Sequence, residues 1–409
     1  MYGWRDGTGA KSPPLSAFAA GALLVMPVVL GRAQNSFPDA QADAARNARA
    51  GDVAYRAETQ SQSAAMWSAQ SGDAAAEAEL QTGIDLTREG RFADAIPHLL
   101  TARGRVANEF AADFNLALCY VATGQNQAAI PVLHGLISSG HATAGVYNLL
   151  TQALIGASRL EEASTAFEHA VTLDPKNEKL YLWVADSCMD HGSYDLGIKV
   201  VTTGLEHLPN SARLHYERGI LLSFIDQPDK ARKDLQLASK LAPGTTVSFL
   251  AEAQEGLLNA DMTQAIRAAR EGVRKEPDNY VLLTILGQAL IRQGASPFNA
   301  EFAEARAVLE KAVAERPEYS VSQLALGQLE LMGGRIDEAV KHLRRARELA
   351  PDNPAVYSQL AAAYRKRGDF EDAKEALAVL VSLNRQQAAK YKLDPPEHKG
   401  SYIGSSSSQ

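Results

Sequence analysis

The stretch LEEASTAFEHAVTLDPKN, residues 160 to 177, decides the fold. Ala163 is followed four residues later by Phe167 and seven later by Ala170, one face of a helix. Pro175, twelve past Ala163, stops that helix and opens the next. Further out, IDEAVKHLRRARELAPDNPAVY, residues 336 to 357, repeats the arrangement with Ala339, Leu343, Ala346 and Pro351. The anchoring small residue recurs every 34 residues as Ala95, Ala129, Ala163, Gly197, Ala231 and Ala265, then after one step of 40 as Ala305, Ala339 and Ala373. A fixed period of this length marks stacked repeats, because each short unit leaves an apolar face that only its neighbours cover.

Other slots keep the same step. Twelve residues before the anchor come small residues, among them Gly83, Ala117, Ala185, Gly219 and Gly327. Four after it come Leu99, Leu133, Phe167, Val201, Leu235, Leu309, Leu343 and Leu377, and twelve after it Pro175, Pro209, Pro243, Pro277, Pro317 and Pro351. Small residues let two helices approach closely while the large one fills the gap.

Both quoted segments resemble the second helix and closing Asp-Pro turn of the tetratricopeptide repeat family. The resemblance covers nine motifs over residues 77–386 and implies an all-α fold. In it, antiparallel helix pairs form an α-solenoid, a right-handed superhelix with a concave groove. Two departures stand out. The sixth motif has Gly256, Ala269 and Gly272 where its neighbours carry larger groups, so 246 to 276 is expected to be the softest joint, each missing buried methylene forfeiting roughly 0.8 kcal/mol. The seventh carries six extra residues within GASPFNAEF, 294 to 302, expected to fold back on its own helix pair, the alternative being an apolar contact through Phe298 and Phe302.

Apolar residues at 46 % and charged residues at 22 % suit a well-packed helical chain, and a net charge of −7 gives no nucleic-acid signature. Lys341, Arg344, Arg345 and Arg347 cluster on one second helix, read as a solvated convex face beside Glu338 and Glu348. Cys119 and Cys188 lie two repeats apart, too far for a disulfide, and read as core residues.

Residues 1–33 carry an uncharged run from Leu15 to Leu30. Sixteen residues reach about 24 Å, short of a bilayer core near 30 Å, so a secretory signal cleaved after Ala33 is expected. The chain would then be exported, periplasmic or secreted; the alternative is a membrane anchor over 12–31, uncleaved between Lys11 and Arg32, the only membrane contact considered. Residues 34–76 are Ala- and Gln-rich, an expected mobile linker, and 387–409, with Pro-Pro and a serine run, an expected disordered tail.

Chemistry is hard to find. The chain has no GxxxxGK, HExxH, GxSxG or CxxC motif, and the 23 residues after 386 are expected to be too few for a catalytic domain. Asp186, Asp190, His191 and His215 lack any metal-ligand spacing. The expectation is a non-enzyme with no catalytic residues, metal or cofactor. By resemblance, residues eleven, fourteen and fifteen before each anchor line the groove, and the candidate partner-binding residues are Asn115, Asn148, Gln152, Trp183, Asp186, Tyr216, Glu217, Gln254, Gln288 and Gln328. Their amides suit the backbone of an extended segment. Trp183 and Tyr216 would supply a buried anchor or else fill packing between repeats. The family's carboxylate clamp has only Asn115 here, with Leu80, Ile84, Gly145 and Leu149 in its other slots. The functional expectation is therefore a protein- or peptide-binding scaffold of unidentified partner, the alternative being a structural subunit of an envelope or secretion assembly using the convex face or array ends.

Overall fold

Asparagine, threonine and serine set where many of the helices begin. Side chains of Asn108, Thr143, Ser211, Thr245, Asn279 and Asn353 each accept a hydrogen bond from a backbone N–H in the first turn of the helix they precede. The computed structural model describes residues 74–393, with side chains to 386; the expectations for the N-terminal signal or anchor, for the linker up to residue 73 and for the tail after 393 lie outside the described residues.

Eighteen helices follow in order, two to a motif. They are α1 (Ala74–Arg88) and α2 (Phe92–Ala102); α3 (Glu109–Ala122) and α4 (Asn126–Ser138); α5 (Ala144–Gly156) and α6 (Leu160–Leu173); α7 (Glu178–Asp190) and α8 (Tyr194–His207); α9 (Ala212–Phe224) and α10 (Pro228–Leu241); α11 (Thr246–Leu258) and α12 (Met262–Lys275); α13 (Tyr280–Gln293) and α14 (Ala300–Glu315); α15 (Ser320–Met332) and α16 (Ile336–Leu349); α17 (Pro354–Arg367) and α18 (Phe370–Leu393). The helices pack on their sequence neighbours, α6 and α7 meeting through the rings of Phe167 and Tyr181, and each first helix packs on the first helix of the next motif, which is the contact pattern of an α-solenoid. No strand occurs among the described residues. The six prolines twelve past the anchor all fall in the turns between motifs.

All eight anchor alanines are buried. At the ninth anchor, a Cβ on Gly197 would lie 3.0 Å from Leu221 and 3.1 Å from the Cβ of Cys188, so the slot leaves no spare volume. The partner slot twelve residues earlier is equally tight: a Cβ on Gly83 would meet Leu99 at 2.7 Å, and one on Gly327 would meet Leu343 at 2.7 Å. In the seventh motif the six-residue insertion moves this slot to Gly287, which faces Leu309. A second rule is specific to the turn inside each motif. Five residues before the anchor the backbone is left-handed, at Gly90, Gly124, Gly192, Gly334 and Gly368, and also at Ser158, Asp226 and Ala260.

Four expectations need correction. The sixth motif is not thinned, because its small residues let the helices close up: a Cβ on Gly256 would lie 2.6 Å from the backbone N of Ala265, and one on Gly272 would lie 2.6 Å from Leu282. The insertion does both things expected of it as alternatives. Asn299 accepts from Ser296 N and Phe302 N, folding Phe302 into the core under the Arg306 guanidinium, while Phe298 stands 98 % exposed. Leu377, expected to fill a gap, is 43 % exposed, because in the last helix Ala373 and Ala376 turn inward and, among the described residues, no motif covers the opposite face. That helix also runs to Leu393, seven residues into the segment expected as tail.

The two cysteines are buried and free, Cys119 Sγ lying 3.2 Å from Thr87 Oγ1. Burial pushes the Cys119 thiol up to about 11. On α16 the basic cluster is largely paired, Lys341 with Glu338, Arg345 with Glu348, and Arg344 with Tyr364 and Asp372.

Candidate functional site

The ten groove candidates divide by burial. Gln152, Trp183, Gln254, Gln288 and Gln328 are half-buried; Asn115, Asn148, Asp186, Tyr216 and Glu217 are buried. Four of the five half-buried residues are glutamines eleven before the anchor, or its equivalent once the insertion is allowed for, whereas Leu118, Asp186 and Ile220 in the same slot are buried.

The asparagines already have work inside the array. Asn148 Nδ2 donates to Leu180 O at 2.8 Å, tying α5 to the next motif, and Gln152 Nε2 donates to Asn148 Oδ1 at 2.8 Å. Asn115 Nδ2 donates to Ala111 O within its own helix. A buried amide hydrogen bond of this kind stabilises by about 1 kcal/mol; Asn148 has both its amide groups engaged, whereas the Oδ1 of Asn115 has no partner.

Trp183 and Tyr216, expected together as an anchor, part company. Tyr216 sits in the continuous apolar core, whereas Trp183 keeps an exposed edge with the Lys179 ammonium 5.9 Å from its ring centre. Burial raises the Tyr216 phenol well above its ordinary value, with further contributions from Glu217, Tyr319 and Tyr280. Tyr280 and Tyr319 belong to the seventh and eighth motifs, and their rings meet edge to face at 5.0 Å. Tyr280 is raised first by burial, then by Tyr319, and also by Asp186 and Asp190 of α7, against the lowering effect of Arg316. Tyr216 of the fifth motif and Asp186 and Asp190 of the fourth thus lie near enough to Tyr280 or Tyr319 to act on them electrostatically, although 64 and 103 residues separate Tyr216 from the two tyrosines, a proximity that no repeat pattern encodes.

Glu217 is wholly buried, and neither of its carboxylate oxygens has a hydrogen-bond partner. Burial, and then the charge of Asp186, hold its carboxyl well above the usual carboxylate range, against the pull of Arg213 one turn earlier on α9.

Next to this lies a fully satisfied network. Asp234 Oδ1 is 2.9 Å from His215 Nδ1, Arg218 donates to both Asp234 oxygens at 2.7 and 2.8 Å, and His215 Nε2 is 3.1 Å from Pro209 O. Burial alone would raise Asp234, but Arg218 and His215 outweigh it and hold its carboxyl below the ordinary value. His215 is thereby turned onto Asp234, and among the described residues no three His, Cys, Asp or Glu side chains are placed to hold a metal ion. An open cleft of about 500 Å³ beside this network is lined by Thr202, Arg218, Lys230, Lys233 and Asp234.

Comparison with known proteins adds the family. Models of the tetratricopeptide repeat match residues 80–139 and 298–354, residues 144–177, and residues 330–393. A TPR repeat-containing protein of Pseudomonas aeruginosa is 26 % identical over 177 residues, 42 % of this chain and 28 % of its own length. Anaphase-promoting complex subunit 7 of Dictyostelium discoideum is 26 % identical over 172 residues, with the same shares. The match thus spans about 28 % of the length of either relative. Among solved structures, yeast Tom70 is similar in fold, with a TM-score of 0.51 at 16 % identity, covering 81 % of this chain and 70 % of that one.

Proposed function

We propose, from the premise that this chain belongs to the tetratricopeptide repeat family, that it is a non-catalytic scaffold whose concave groove holds a protein or peptide segment beside Trp183. The observation that carries the reading is the half-buried set of Gln152, Trp183, Gln254, Gln288 and Gln328 on the first helices of the third, fourth, sixth, seventh and eighth motifs. A partly exposed indole gives apolar area at low entropic cost, and amides one repeat apart suit a main chain running along the groove. The role of Tyr216 in this proposal is to back the groove wall rather than to touch the partner.

The test is a pull-down with the full chain beside its Trp183→Ala variant. Loss of a captured protein by tenfold or more, equivalent to about 1.4 kcal/mol, is the expected result; capture unchanged by Trp183→Ala overturns the groove assignment. A second reading, a structural subunit of a larger assembly such as an envelope or secretion complex, is favoured by exposed Phe298 on the insertion and by Phe370, Leu377 and Val381 on the last helix. In that case capture follows Phe298→Ser or Phe370→Ser instead. Export, or anchoring through residues 12–31, belongs to this proposal as the setting in which the partner is met.

A further inference from the structure

A carboxylate that is buried and bonds to nothing needs an explanation, since its desolvation is compensated only by a base or by donors. Glu217 has neither oxygen hydrogen-bonded, and Arg213, the base that acts on it, does so without bonding to it. A second acid, Asp186, comes from the preceding motif and occupies a groove-lining slot of its own. Aromatic residues lie close to the two acids: Tyr216 beside Glu217, Tyr280 near enough to feel the charge of Asp186, Tyr319 packed edge to face on Tyr280, and Trp183 three residues before Asp186 on the same face of α7. A guanidinium already lies over one of these rings, Arg316 over Tyr280 at 5.7 Å.

We propose that the groove between the fourth and fifth motifs is a cation-recognising site, in which Asp186 and Glu217 receive the lysine or arginine side chain of an extended segment of a partner protein. The proposal rests on the groove reading above and gives it a chemistry. Charge complementarity selects the head group, and aromatic walls suit the methylene stem of a long basic side chain. The half-exposed indole of Trp183 borders the way in. The raised carboxyl of Glu217 fits a group waiting for its counter-charge, because a cation delivered beside it restores the ionised form.

The test is selection of a random nonapeptide library, displayed on phage, against the full-length protein and three variants. On the wild type, arginine or lysine should be enriched at least tenfold over glutamine at one peptide position. Glu217→Gln or Asp186→Asn should abolish that enrichment while preferences at the other positions persist, and Trp183→Ala should remove the whole selection. Peptides that depend on Trp183 but show no basic preference, or keep one in Glu217→Gln, overturn this proposal and leave the groove reading standing. A selection indifferent to Trp183→Ala overturns both. Basic enrichment that appears only after Arg46, Arg49 and Arg56 are all changed to glutamine would assign the site to the chain's own N-terminal segment instead. Glu217→Gln keeps the side-chain shape, so the variant should melt no lower than the wild type; a lower melting temperature would mark Glu217 as a structural group and overturn the proposal.

Discussion

Replacing Gly256 by alanine tests how closely α11 and α12 approach. On helix propensity alone the change should stabilise, since alanine exceeds glycine by about 1 kcal/mol inside a helix. The added Cβ, however, would lie 2.6 Å from the N of Ala265 and 2.9 Å from its Cα and Cβ, against ordinary contact at 3.4 to 4 Å. Two of those three atoms are backbone, so the helix itself has to move. Overpacking of this kind costs about 1 to 3 kcal/mol, toward the upper end where no side chain can swing aside. The net expectation is destabilisation by about 1 to 2 kcal/mol. Gly135 provides the control: it lies in α4, is exposed, and has nothing within 4 Å of a built Cβ. Gly135→Ala should therefore stabilise by about 0.5 to 1 kcal/mol. Urea denaturation of both full-length variants, followed by circular dichroism at 222 nm, gives the two midpoints. Because a long repeat array need not unfold in one step, hydrogen exchange in α11 and α12 should be read alongside. Midpoints displaced in the same direction would refute the close approach and restore the soft joint expected from composition.

Ala231→Leu, at a buried anchor, should cost roughly 1 to 3 kcal/mol, and an unchanged melting temperature would mean that the repeat register is wrong. Ala260→Gly should stabilise by about 0.5 to 1 kcal/mol, since relief of a left-handed alanine exceeds the entropy glycine loses; thermal melting decides the sign. Asp234→Asn should cost about 3 kcal/mol, the low end for breaking a buried pair, because Arg218 is partly exposed. The Asp234 carboxyl is lowered by folding, so its stabilisation is present above the unfolded value near 4 and lost as pH falls through the folded one. Urea midpoints between pH 7 and pH 3 should accordingly fall less steeply in Asp234→Asn than in the wild type. Glu217 has the opposite sign: raised by folding, it lowers stability as pH rises above about 4.3, so the advantage of Glu217→Gln should grow from pH 4 toward neutrality in the same titration.

Much of the solenoid is legible in the sequence because its contacts are local. A small residue at Ala163 or Ala339 is required by a neighbour within the same motif, so the requirement repeats with the motif. The left-handed turn went unread: Gly90, Gly124, Gly192, Gly334 and Gly368 mark it in the sequence, but Ser158, Asp226 and Ala260 at the equivalent position hide it. What escaped depends on neighbours beyond one motif. Leu377 obeys the pattern and is still exposed, because the pattern presumes a following motif. The groove was legible only as a set of slots. Whether a slot faces solvent turns on contacts such as Asn148 with Leu180 O, and on Tyr280 and Tyr319 facing Tyr216 from two and three motifs away. The burial of Glu217 leaves no trace in composition or period.

Among the described residues the apolar core falls into three clusters, Ala76 to Cys119, Ala117 to Leu329, and Leu324 to Ala376. The two outer clusters are small and the middle one continuous, which makes the molecule a graded spring when tension is applied along the chain. Terminal motifs should peel away first under load, each releasing about 110 Å of slack as 34 residues extend at roughly 3.3 Å apiece, while the middle cluster around Trp183 and Glu217 stays folded. A partner held there would feel a pull on either end as added reach before it felt any loss of grip.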